Sequence, residues 1–230
     1  MSDILERLEA LLPELPSAVE KQRLGQQLDV SAEKLRTGLQ EAERLKALLD
    51  LSTLLGLDGH DHQDDVDEAR EEAGAVGAAL LATEDAAQLK QATDRYERDF
   101  LPALKRLHRN LIQRWDVVST RDFRPLIQVG EMLQRLDQGS DLGADLASCG
   151  RDATSYKPGA SASEFLNKVS DLLIRREQLQ EQRRTNYGDG AIAAFVNALA
   201  ENRASLEMVT PEVRRWLDEH GASKWLRVSV

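Results

Sequence analysis

At 230 residues with 41% hydrophobic side chains, the chain is long enough to bury one large core or two small ones. Aromatics are only 4% and charged residues 30%, with Leu, Ala, Glu, Gln, Arg and Asp prominent, which is the palette of long amphipathic helices and argues against a sheet-rich fold. The net charge of −10 arises in Met1 to Thr83, where 18 acids face 8 bases, so general attraction to nucleic acid or anionic membrane is not expected, only local basic patches.

The first residues, Met1 to Glu9, lack the basic and apolar regions of a secretory leader, and no window of about 18 apolar residues occurs. A soluble cytoplasmic protein with no membrane association is expected. The single cysteine, Cys149, excludes an internal disulfide and any multi-cysteine metal site.

Taken in order, Leu5, Leu8, Leu11 and Leu12 predict a short first helix that stops before Pro13. Ser17 and Glu20 form a capping box for a second helix through Val19, Leu24 and Leu28, with a break expected at Asp29 to Ser31. Leu28, Leu35, Ala42 and Leu49 then fall seven apart, a coiled-coil spacing whose second seam is weakened by Ser31, Gly38 and Ser52. That helix is expected to end near Gly56. The polar stretch Gly56 to Asp67 reads as a loop, followed by a helix with Val66, Ala69, Ala73, Val76, Leu80 and Leu81 inward. Its segment Ala73 to Ala82, AGAVGAALLA, predicts a close helix-to-helix contact.

Glu84 to Val118 carries the longest apolar periodicity. Leu89, Thr93, Tyr96, Phe100, Leu104, Leu107, Leu111, Trp115 and Val118 recur at steps of three and four, placing them on one helical stripe about 50 Å long at 1.5 Å per residue. Pro102 inside it predicts a bend. A new helix is expected from Thr120 or Asp122, with Pro125 in its first turn and Leu126, Val129, Leu133 and Leu136 inward. The stretch after it, rich in Gly, Ser and Asp, reads as a flexible linker over 139–160.

Ser161 and Glu164 form a second capping box, opening a helix whose polar half RREQLQEQRR is expected to face solvent or a partner. Helices over 191–202 and from Thr210 follow. The tail alternates Leu226, Val228 and Val230 beside Trp225, a strand signal that must find a pairing edge in a partner, in a second copy, or within the chain near Leu206 to Val209. The fold class is therefore all-α: an antiparallel helical bundle with partial coiled-coil character over 1–138, the linker, and a small C-terminal helical module over 161–230 ending in a short strand.

No nucleophile elbow, zinc-protease or dinucleotide-binding pattern occurs, so neither an enzyme nor a cofactor is expected. His60 and His62 among the aspartates are weak candidate metal ligands, set against a solvated connector. Lys105, Arg106, Arg109 and Arg114 are the one basic concentration and the candidate nucleic-acid contacts; their other reading is pairing with the acidic helices. The leading expectation is a non-enzymatic assembly subunit or adaptor, with a protein partner or a second copy bound through Trp225, Leu226, Val228 and Val230.

Overall fold

The computed structural model describes residues 40–56, 63–82, 86–136, 141–188 and 190–222, together with single helical positions at 22, 26, 30 and 33. Among these residues the chain is almost wholly helical and contains no strand. The elements are α1 (40–54), α2 (Gln63–Leu81), α3 (Ala86–Arg95), α4 (Leu101–Val118), α5 (Arg124–Leu136), α6 (Asp141–Ser155), α7 (Ala162–Tyr187), α8 (Ala191–Ala200) and α9 (Pro211–Glu219). Five-residue π-helical turns, Tyr96–Phe100 and Ser119–Phe123, join α3 to α4 and α4 to α5. The described residues fall into two compact units, within 1–110 and within 111–230.

In the first unit the long apolar stripe is the core. Tyr96, Phe100, Leu104 and Leu107 are buried, as is Thr93, while Leu89 at the start is half-buried. The Thr93 hydroxyl donates to the Leu89 carbonyl at 2.6 Å, which lets a polar residue sit on the inner face. Helix α2 runs antiparallel to this stretch, with Glu72 beside Arg95, Glu68 beside Arg106 and Asp65 beside Asn110. Helix α1 buries Leu45, Leu48, Leu51 and Leu55, whereas Ala42 is exposed and Leu49 only half-buried. The spacing of seven through Ala42 and Leu49 is thus not the buried face here; Leu45, Leu48, Leu51 and Leu55 form it.

The small-residue stretch of α2 also departs from expectation. A Cβ added at Gly74 or Gly77 would meet nothing within 4 Å, and Leu81 is 92% exposed. Among the described residues no neighbour approaches there closely enough to need glycine.

Both prolines are accommodated without breaking the helical run. An α-helix would place the proline ring against the carbonyl four residues back and lose one hydrogen bond. Instead, the Leu101 N–H bonds to the Tyr96 carbonyl just before Pro102, and the Arg124 N–H to the Ser119 carbonyl just before Pro125. The wider turn absorbs the conflict. The fresh helix expected at Thr120 or Asp122 is therefore a continuation, with no cap at either residue.

The second unit corrects the expected linker. Residues 141–155 form α6, in which Leu142, Gly143, Leu146, Ala147, Cys149, Gly150 and Ala153 are buried. It packs antiparallel to α5 at glycine contacts: Gly130 lies against Gly143 and Ala147, Gly143 against Gln134, and Gly150 against Phe123 and Ile127. The glycines and serines that read as loop signals are the small side of a helix pair.

A line of rings closes this core. Trp115 lies 5.7 Å from Phe123 and 6.3 Å from Tyr156, which lies 6.2 Å from Phe165. Helix α7 opens as expected, the Ser161 hydroxyl accepting from the Glu164 N–H at 3.3 Å. Leu179 within its polar half and Tyr187 at its end are buried, so one side packs within the unit. Thr210 caps α9, which buries Val213, Trp216 and Leu217. Leu206–Met208 is a 3₁₀ turn, which removes the pairing strand considered there.

Candidate functional site

The basic run of α4 starts from simple helical geometry. With Leu104, Leu107 and Leu111 inward, Lys105, Arg106 and Arg109 must fall on the outer faces. Arg106 is engaged by α2: its Nη2 donates to Glu68 Oε1 at 2.7 Å and its Nε lies 3.6 Å from Asp65 Oδ1. Arg95 makes a matching pair, Nε to Glu72 Oε2 at 3.1 Å. Lys105 and Arg109 are exposed, with no ion-pair partner among the described residues. Arg114 is half-buried, engaged within the fold, and lies in the second unit. The four candidate residues therefore do not form one continuous exposed patch of equal standing. The other candidates, His60, His62, Trp225, Leu226, Val228 and Val230, lie outside the described residues.

His108 lies behind the same helix face, 6% exposed, with Nδ1 2.9 Å from Arg44 Nη2. A guanidinium only donates, so Nδ1 accepts and the ring is the neutral Nε2–H form. Burial, and then the Arg44 charge, hold its pKa below the ordinary value of 6.5. Below that value the unfolded chain takes up a proton that the folded chain resists, so this contribution is full above about pH 6.5 and declines as pH falls. Urea-unfolding midpoints between about pH 8 and about pH 5 are expected to fall in that direction, and His108→Gln is expected to flatten the slope.

Sequence reasoning missed the pattern that places both π turns. Arg98-Asp99-Phe100-Leu101-Pro102 recurs as Arg121-Asp122-Phe123-Arg124-Pro125. In both, the arginine makes a two-pronged pair with the adjacent aspartate, at 2.9 and 2.8 Å for Asp99 and 2.6 and 3.0 Å for Asp122. Both phenylalanines are buried and both prolines exposed. Hydrogen bonding from Arg98 holds the Asp99 carboxyl below the usual range, and Arg121, with Arg176, does the same for Asp122. Each proline alone predicts only a bend or a helix start; the shared residues before it are the signal. π turns are enriched at functional positions, which makes these turns candidates on geometry as well as sequence.

Cys149 is fully buried on α6, and burial pushes its thiol up, away from a reactive thiolate. Among the described residues no group of three or more His, Cys, Asp or Glu is placed to hold a metal ion, and no helix is long and apolar enough to cross a membrane. A void of about 10 Å³ beside Leu133, Arg183 and Tyr187 has room for a water at most. No protein-family model, curated protein or solved structure matches the chain.

Proposed function

We propose that this chain is a non-enzymatic assembly subunit or adaptor of a larger cytoplasmic protein complex, working through the surfaces of an antiparallel helical bundle. Partial coiled-coil character, through Leu28 and Leu35, and the apolar tail from Trp225 to Val230 belong to the same proposal. The observation that carries it is the pairing of Arg106 with Glu68 and Asp65, which turns the centre of the basic run toward acidic α2 rather than toward an external polyanion. The test compares the tagged full chain with a version ending at Ala222, both recovered from the native host. A partner retained in fixed stoichiometry by the full chain and lost from the shortened one is expected. Identical lone monomers in both preparations would refute the adaptor reading.

The alternative, a nucleic-acid-associated subunit, draws support from Lys105 and Arg109, which are exposed without described ion-pair partners. It requires binding that weakens steeply with salt and disappears when both become Glu. The adaptor reading expects no such salt-sensitive binding.

A further inference from the structure

Helix α8, reading AIAAFVNALA, is the one helix among the described residues with no charged side chain. A helix that is apolar all round belongs in an interior, yet Ala194 is exposed and Ile192 and Leu199 are only half-buried. These last two are not on the outer face. At about 3.6 residues per turn, residues seven apart share one line along a helix, and this line runs between Phe195 and Val196, which are both buried. Val196 meets α5 and α7, where it borders a small void with Leu133, Arg183 and Tyr187. The flank of Phe195 and Ala198 is left to α9, which also packs on α8. Ile192 and Leu199 therefore line an apolar groove between the two contacts, inside the second unit.

The chain leads into one end of this groove. The Trp216 ring lies 5.9 Å from Tyr187, just ahead of α8, and the His220 ring lies 5.2 Å from Trp216, so the last turn of α9 stands beside the start of α8, at the Ile192 end. Beyond it Ala222 is fully buried, its N–H bonded to the Leu217 carbonyl at 2.7 Å, so residue 223 sets out from the packed side of α9. The sequence that follows carries Leu226, Val228 and Val230 at every second position, with Arg227 and Ser229 between them. In an extended segment these three apolar side chains share one face and span about 13 Å at about 3.3 Å per residue. Ile192 and Leu199 stand about 10 Å apart along α8 at about 1.5 Å per residue, so the two apolar faces are similar in length. No strand among the described residues offers the segment a pairing edge, which leaves apolar burial to hold it.

We propose that the segment Trp225 to Val230 seats in this groove of its own chain, laying Leu226, Val228 and Val230 over Ile192 and Leu199. The occupant is the same molecule and not a second copy, because the short tether from Ala222 gives an effective concentration in the millimolar range, while a net charge of −10 opposes close approach of another chain. Arg227 and Ser229 then face water. The inference goes beyond the adaptor reading, since it concerns the chain by itself: the tail which that reading assigns to a partner already has a place. A partner that takes the tail must lift it from the groove and leave α8 uncovered.

The test is methyl NMR on the full chain carrying ¹³C-labelled Ile, Leu and Val methyl groups. Cross-relaxation from the Val228 or Val230 methyls to those of Ile192 and Leu199 is expected, and its absence would overturn the seat. Chains labelled only at Ile and Leu, mixed with chains labelled only at Val, are expected to show none of it. Contacts in that mixture would move the tail to a second copy and overturn the intramolecular seat. Val228→Asp combined with Val230→Asp alters no residue of the described helices, so folding is not at stake. It is expected to shift the Ile192 and Leu199 methyls and to speed amide exchange in α8, with the Val129 and Leu146 methyls unmoved. Unchanged α8 signals in that variant would equally overturn the proposal. Partner recovery from the native host judges the adaptor reading separately. An empty groove with partners retained removes the seat alone, and a seated tail in a lone monomer removes the adaptor reading alone.

Discussion

Gly130→Val is expected to abolish stable folding of the second unit, and Gly130→Ala to destabilise it measurably. A Cβ at Gly130 would sit 2.5 Å from both the Ala147 nitrogen and the Gly143 carbonyl oxygen, and 2.9 Å from the Ala147 Cβ. Two of these three atoms are backbone, held in the hydrogen bonds of α6, so they cannot rotate aside. Moving α6 away would also open the contacts at Gly143 and Gly150, where an added Cβ lies 2.9 Å from Gln134 N and 2.7 Å from Phe123 O. Overpacking of this kind costs about 1–3 kcal/mol for small additions and more when the backbone must shift, against a total stability of about 5–15 kcal/mol. Helix propensity alone would give the opposite sign, since alanine is better than glycine in a helix interior by about 1 kcal/mol. Gly74→Ala and Gly77→Ala supply that contrast. Neither has a neighbour within 4 Å of an added Cβ among the described residues, and each is expected to raise the urea midpoint while Gly130→Ala lowers it. Lowered midpoints at all three positions would show that a close neighbour covers α2 as well.

Trp115→Ala is the second large effect. The indole is fully buried between Phe123 and Tyr156, and truncation would leave a cavity among residues already fixed by the α5 and α6 contact. A loss of about 3–5 kcal/mol is expected, read as a lowered urea midpoint. Trp115→Phe should recover much of it. The buried Nε1–H has no hydrogen-bond partner among the described residues, so removing it relieves an uncompensated donor while keeping an aromatic surface in place. A phenylalanine variant as unstable as the alanine one would show that the indole outline, not the ring contacts, holds the site.

The central stripe was legible because burial at steps of three and four leaves a strong period, and Tyr96 through Val118 follow it residue by residue. Helix starts at Ser161 and Thr210 were equally legible, since a capping hydroxyl acts within four residues. What failed was the meaning of glycine. Gly143 and Gly150 serve a close approach between helices that sequence alone presents as a loop, whereas Gly74 and Gly77, which read as a close contact, meet no close neighbour among the described residues. The difference lies in the partner helix, which local sequence does not contain. The basic run was legible as a concentration of charge, but the acceptors of Arg106 stand on α2, 38 residues away for Glu68. The π turns were hidden because a proline within a periodic stripe predicts a kink without saying how the backbone absorbs it. Comparing Arg98 to Pro102 with Arg121 to Pro125 would have shown that the solution is used twice.

The central claim, that the chain is an assembly subunit working through protein surfaces, is tested most directly by native mass spectrometry of the protein isolated from its host at its natural level, before and after nuclease treatment. The expected result is a discrete complex containing this chain and at least one other protein in fixed ratio, unchanged by nuclease. The chain alone as a monomer, or an assembly that disperses when nucleic acid is digested, would contradict it.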